Sequence, residues 1–365
     1  MRRRTARLAA LLPLLALVGS CSPSGDRGPG GEPAAGASLP RLVRTIPMPG
    51  LRAAHGGFAR LDHLGHDPAT GRMFVAAVGC DGLAVVDLAA GRHLRTLGDL
   101  AGPQGVAVVP GRDGPARVFV ACSGDGMVHA FDARSLERLG SVLAGEDADN
   151  IRWDPRTRRL YVGCGGAAGG SITALDPDTV TVVGRTPLPA HAESFQLDAD
   201  GPRMFVNVPG AKLATADGAV LLADREAGAV EATWDLHDAT RNFPMAWVPE
   251  QRVVLTCCRG PEVLLALDAD SGAELARIPS MSSDDLFFDA PTGRVLVIGS
   301  GRGQAGAGLQ VVAMPSRGQL GEVGIVPLPA GTRTGLLVPG LHRLFVAVPR
   351  QADGTEAELR EYRLD

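Results

Sequence analysis

The sequence predicts an all-β fold, a seven-bladed β-propeller of four-stranded blades whose ring is closed by an N-terminal strand. Three observations carry this. First, seven segments share one form, an Arg, two apolar residues, then an aliphatic and usually a small residue: Arg72-Met-Phe-Val-Ala, Arg117-Val-Phe-Val-Ala, Arg159-Leu-Tyr-Val-Gly, Arg203-Met-Phe-Val-Asn, Arg252-Val-Val-Leu-Thr, Arg294-Val-Leu-Val-Ile and Arg343-Leu-Phe-Val-Ala. Their spacings of 45, 42, 44, 49, 42 and 49 give a period in the mid-forties, the size of a four-stranded blade. Second, 48 glycines and 27 prolines in 365 residues supply turns far more often than long helices tolerate. Third, the segments between turns are β-branched and Gly-bounded rather than periodic at 3.6 residues.

In chain order, Met1–Ser20 reads as an export signal. Arg2, Arg3 and Arg4 form a basic start, and Leu8–Val18 is an apolar run of 11 residues, too short to span a bilayer as a stable helix. It ends in Leu17-Val18-Gly19-Ser20-Cys21, which resembles a bacterial lipobox; that resemblance implies lipidation of Cys21. Ser22 rather than Asp after the Cys implies the periplasmic face of an outer membrane. Residues 21–40 lack periodicity and are rich in Gly, Pro, Ser and Ala, a flexible tether. Residues 41–365 hold the repeats.

Each repeat parses alike. A short apolar strand such as Asn150-Ile-Arg-Trp-Asp154 or Asp285-Leu-Phe-Phe-Asp289 precedes a tight turn, followed by the Arg-anchored strand. The third strand often ends in Asp (Asp87, Asp132, Asp176, Asp224, Asp268), where the following residues mark hairpin turns whose carboxylate accepts backbone N–H groups. The last unit ends too soon for its own outer strand. Leu42-Val-Arg-Thr-Ile46 can supply it and close the ring.

The Arg-Leu-Tyr-Val-Gly type of strand and the Asp-Pro turn resemble the YVTN-repeat family of bacterial β-propellers, over about residues 41–365. The resemblance implies the architecture and leaves the chemistry open.

Composition excludes several classes. Charged residues make up 21% and the formal net charge is −4, so no basic face meets a nucleic-acid backbone. Lys212 is the sole lysine. No C-x-x-C-H for haem, H-E-x-x-H or G-x-S-x-G occurs, and Gly301-Arg-Gly-Gln-Ala-Gly306 lacks the following helix that a nicotinamide site requires. Three scattered Trp form no quinone-docking series.

The first strand of each blade lines a propeller's channel, so the residues just before it crowd the rim. Ten residues before six of the anchoring Arg stand Asp62, Asp149, Glu193, Asn242, Asp284 and Arg333; in the second blade the first hairpin is longer and the equivalent position falls at Pro103 or Gln104. One step inward are His63, Asn150, Ser194, Phe243, Asp285 and Thr334. Converging carboxylates need a cation, a shared proton or an Arg. Asp62, Asp149, Glu193, Asn242 and Asp284 are therefore candidate ligands for Ca²⁺ or another divalent cation, with His63 or His191 admitting a transition metal. His63, Asn150, His191, Arg241, Asp285 and Arg333 are the candidate ligand-binding residues of the rim. A solvated funnel with internal Arg–Asp pairing is the competing reading.

Cys122, Cys164 and Cys257 each follow their anchoring Arg by five residues and read as small core residues; the adjacent Cys257-Cys258 is the place to suspect redox or soft-metal chemistry. The expected function is an envelope-tethered, monomeric binding or scaffold protein for an envelope protein or peptide. The alternative is a metal-dependent, lactonase-like hydrolase with an axial Ca²⁺ and His63 or His191 as base.

Overall fold

The computed structural model describes residues 38–52, 59–166, 169–210, 218–303 and 306–364. The signal segment, Cys21, most of the tether and Lys212 lie outside them. Seven four-stranded antiparallel sheets form the seven predicted blades. Blade 1 runs Leu64–Asp67, Arg72–Ala77, Gly82–Asp87, Arg92–Leu97, and blade 2 runs Pro103–Val109, Arg117–Cys122, Met127–Asp132, Arg138–Leu143. Blades 3 to 6 repeat the order from first strands Ile151–Asp154, Phe195–Leu197, Thr240–Val248 and Ser282–Asp289.

Blade 7 combines both parts of the chain. Its strands Thr334–Val338, Arg343–Val348 and Ala357–Arg363 are completed by Arg41–Met48, which pairs antiparallel with Ala357–Arg363. The predicted closure is thus present, and it removes the open edge that blade 7 would otherwise expose.

The second strands are apolar on both faces because both faces are covered. In Arg72–Ala77 every residue after the Arg is buried. One face of blade 1 packs Phe74, Leu83 and Val85 against Val118, Val120 and Phe131 of blade 2. The other packs Met73, Val75 and Ala84 against Ile46, Met48 and Phe345 of blade 7. Each buried aromatic or aliphatic side chain at these seams contributes on the order of 1.5–3 kcal/mol.

The repeated Arg has a structural explanation. Arg72 Nη1 donates to the carbonyls of Ala133 and Arg134 (both 2.7 Å), and Arg117 Nη1 to those of Pro177 and Asp178 (both 2.8 Å). Each guanidinium therefore clasps the outer hairpin of the next blade. Arg203 reaches blade 5 through an ion pair with the Asp270 side chain at 3.1 Å, whereas Arg159 and Arg343 pair with Asp176 and Glu361 of their own blades. The hairpin aspartates behave as expected: Asp132 Oδ1 accepts from the N–H groups of Arg134 (2.8 Å) and Ser135 (2.7 Å), and Asp176, Asp224 and Asp268 repeat the pattern.

The first strands are less regular. Register shifts fall between Pro103 and Val106, Asn242 and Met245, and Ser283 and Asp285, all at the rim end. Such bulges re-aim side chains; at one of them Asn242 is turned into the seam with blade 4. Gly105 serves the crowding at this end, since a Cβ there would run into the carbonyl oxygen of Asp149 in blade 3.

Candidate functional site

The first strands of all seven blades line one axial cavity of about 450 Å³. Its walls include Val106, Val108, Ile151, Met245, Leu286 and Leu336, and its polar end is made by His63, Arg152, Ser194 and Asp285. Beside that polar end stands a ring of charged rim residues from the loops that start the first strands.

Blades 1, 3 and 4 carry three buried rim carboxylates, and blade 6 adds Asp284 and Asp285. Asp62, Asp149 and Glu193 are all buried. Asp62 is paired with Arg60, whose guanidinium also donates to Gln104 Oε1 of blade 2 at 2.8 Å. His63 lies between two acids, with Nε2 3.7 Å from Asp62 and Nδ1 3.3 Å from Asp285 of blade 6. The second Asp285 oxygen accepts the Gly335 N–H of blade 7 at 2.8 Å, so one carboxylate joins three blades. Burial alone would lower the His63 pKa; Asp285, Asp62 and Asp149 overrule it and hold the imidazolium to about 9. Asp149 is pushed up to about 7 by burial and by the Glu193 and Asp62 carboxylates, with His63 opposing.

His191 forms a second imidazole–carboxylate group, with Nδ1 3.5 Å from Asp147 and Nε2 3.3 Å from Glu193. It fits because residue 165 is Gly: a Cβ there would clash with the imidazole ring. Asn150 is tied inward, its Oδ1 accepting from Arg152 Nη2 at 3.0 Å, and burial lowers the pKa of that guanidinium.

Blades 5 and 7 carry the opposite charge. Arg259 packs over the Phe243 ring, 4.0 Å from its centroid, and donates to the Ser283 carbonyl (2.7 Å) and to Asp284. Arg333 Nε lies 2.8 Å from the other Asp284 oxygen. Arg241 is exposed, holds a left-handed backbone (φ 58°) uncommon for a side-chain-bearing residue, and makes no ion pair among the described residues. Arg259 has its pKa lowered to about 10 by burial and by the neighbouring charges of Arg333 and Arg241.

The five candidate cation ligands therefore do not present themselves as one set. Asp62 and Asp284 are held by arginines. Asn242 is fully buried and turned toward blade 4, its Nδ2 donating to Asn207 Oδ1 (3.0 Å) and the Ala219 carbonyl (2.9 Å). Asp149 and Glu193 remain close enough to perturb each other. Sequence reasoning missed Arg60, Arg152 and Arg259, which lie on the axis by blade geometry and occupy no common repeat position.

It also missed a cluster away from the axis. Ligand atoms of Cys122, Asp125 and His129 in blade 2 all lie within 4.8 Å of one another. The C-x-x-D-x-x-x-H spacing across a strand, turn and strand was the available signal. Soft-metal chemistry does not converge at Cys257-Cys258, because adjacent strand residues face opposite ways. Cys257 packs into the seam with blade 6 and Cys258 into the seam with blade 4. Burial pushes the Cys257 thiol up to about 12.

No family model and no curated protein matches the chain. Solved structures do. A Kuenenia stuttgartiensis hydrazine synthase structure superposes with a TM-score of 0.72 at 14% identity, covering 85% of this chain and 97% of that one. A mitotic checkpoint complex structure gives a TM-score of 0.67 at 16% identity, covering 96% of this chain and 98% of that one. At such identities the likeness shows the propeller fold alone.

Proposed function

We propose that this protein is an envelope-tethered binding protein whose axial mouth takes an acidic segment of an envelope peptide or protein. The observation that supports the reading is the charge division of the mouth. Arg241, Arg259 and Arg333 share one arc, and among the described residues a single carboxylate, Asp284, is ion-paired with them. An anionic group entering there replaces hydration by charge-assisted hydrogen bonds, which arginines provide in forked geometry. The carboxylate arc across the mouth repels the same group and so sets its orientation.

The test is fluorescence anisotropy with short N-acetylated peptides carrying Asp and Glu, against matched peptides carrying Lys. Acidic peptides are expected to bind, with affinity falling as salt rises and at least about tenfold on Arg333→Met. Equal binding of both sets, or no effect of Arg333→Met and Arg241→Met, refutes the reading.

Export with lipidation at Cys21 and membership of the YVTN-repeat family belong to the same proposal, supported by the lipobox-like sequence and the Arg-anchored strands. Loss of membrane association in Cys21→Ser checks the first. The hydrolase reading has one supporting observation: Asp149, held near neutrality beside His63, has the pKa of a general base. The poor convergence of the cation ligands counts against it. Unchanged lactone turnover in Asp149→Asn dismisses it.

A further inference from the structure

We infer that Cys122, Asp125 and His129 form a divalent transition-metal site in blade 2, suited to Zn²⁺ and distinct from the axial mouth. The three ligand atoms lie within 4.8 Å of one another, close enough for small rotations to bring them onto one ion. A thiolate, an imidazole and a carboxylate together favour Zn²⁺ over the hard cations that oxygen-only sites select.

The local fold explains why they meet. Cys122 ends the strand Arg117–Cys122, Asp125 sits in the turn, and His129 lies on Met127–Asp132. His129 pairs across the ladder with Val120, so Cys122, two residues further, is its diagonal neighbour on the same face. His129 is 6% exposed, its Nδ1 is engaged by Ser141 Oγ at 2.7 Å, and its Nε2 is buried without a hydrogen-bond partner. With Nδ1–H donating to the Ser hydroxyl, the Nε2 lone pair is the one left for a metal, an outer contact of the kind that orients ligating histidines. One Asp125 oxygen accepts the Met127 N–H at 3.0 Å, and the exposed carboxylate leaves a path for the ion and a position for water. Arg138, the cation whose field reaches the site, is held by the Gly98 and Asp99 carbonyls and the Phe131 ring.

The other blades serve as internal comparisons. Cys164 and Cys257 occupy the slot of Cys122, but the residues matching His129 are Thr173 and Ala266. A repeated small core position thus carries an imidazole across from it in blade 2 and not in blades 3 or 5. Binding exchanges the Cys122 S–H bond for a sulfur–metal bond and passes that proton to solvent, with no change of oxidation state.

The test is Co²⁺ titration of the purified, chelator-treated full chain, read by the thiolate-to-cobalt charge-transfer band, followed by Zn²⁺ competition. One equivalent with that band, displaced by Zn²⁺, is expected. Cys122→Ala, a substitution to the residue found at this slot in blade 1, should abolish the band while circular dichroism stays unchanged. Ser141→Ala should weaken binding about 10- to 100-fold. Cys164→Ala and Cys257→Ala should leave it intact. No charge-transfer band in the unmodified protein at excess Co²⁺, or a band that survives Cys122→Ala, overturns the site.

Discussion

Asp149→Asn should stabilise the protein at alkaline pH, because Asp149 is an acid ionised against burial and two like charges. Its pKa rises from 3.8 to about 7. The unfolded chain releases this proton near 3.8 and the folded chain only near 7, so stability falls as pH rises through that window and the cost is complete above it. A shift of roughly three units corresponds to about 4 kcal/mol. Asparagine removes that cost but also one of the carboxylates that hold the His63 imidazolium, so the net gain is about half, ~2 kcal/mol. For a domain of this size that is roughly 3 °C in Tm. The assay is thermal unfolding from pH 4 to pH 9 in unmodified and variant protein. The variant should match or fall below the unmodified protein at pH 4 and exceed it at pH 8. A variant less stable than the unmodified protein at pH 8 refutes the reasoning. That outcome would mean the Asp149 charge is neutralised by something other than His63, as a bound cation would do.

The remaining predictions follow from the same contacts. Asp285→Asn should flatten stability between pH 6.5 and 9, because the raised His63 pKa contributes stability that is present below 6.5 and lost as pH rises through about 9; urea unfolding at pH 6 and pH 9.5 measures it. Asp154→Ala should cost about 3–5 kcal/mol in urea melts, since it strands Arg225, whose side chain is fully buried against it at 2.9 Å. Gly165→Ala should cost about 1–3 kcal/mol by forcing His191 aside, read by chemical denaturation. Deleting residues 41–48 should expose the outer edge of the Ala357–Arg363 strand, which then pairs only with Arg343–Val348, and convert the protein to oligomers or aggregates on size-exclusion chromatography.

The fold was legible because its information runs along the chain. An Arg followed by a mostly apolar strand recurs at a period in the mid-forties, and the turn residues between mark the strands without reference to partners. The acidic rim was legible for the same reason: Asp62, Asp149 and Glu193 hold one repeat position. What the chain does not display is which side chains compensate them. Arg259 reaches Asp284 from the end of another strand, in another blade, and its distance from the anchoring Arg matches no repeated feature. The register shifts at Pro103, Asn242 and Ser283 compound this, because one extra residue changes which face a side chain takes. Asn242 shows the consequence. It holds the rim position in sequence and is turned into the seam with Asn207 in space.

The same distinction separates the two charged regions of the molecule. At the rim, acids at equal positions on different blades approach one another, and ion pairs with Arg60, Arg259, Arg333 and His63 compensate most of that charge. A cation added there competes with guanidinium groups already in place, against the cost of breaking their hydrogen bonds. In blade 2 the donors come from neighbouring strands of one sheet, and the buried His129 Nε2 has no partner to give up. Chelator treatment should therefore act on the two regions differently. It should erase the Cys122-dependent Co²⁺ band on titration only while chelator is present, and it should leave acidic-peptide binding at the mouth unchanged. Loss of peptide binding with EDTA, restored by Ca²⁺, would place a cation among the rim carboxylates and reverse the assignment of charge compensation to the arginines.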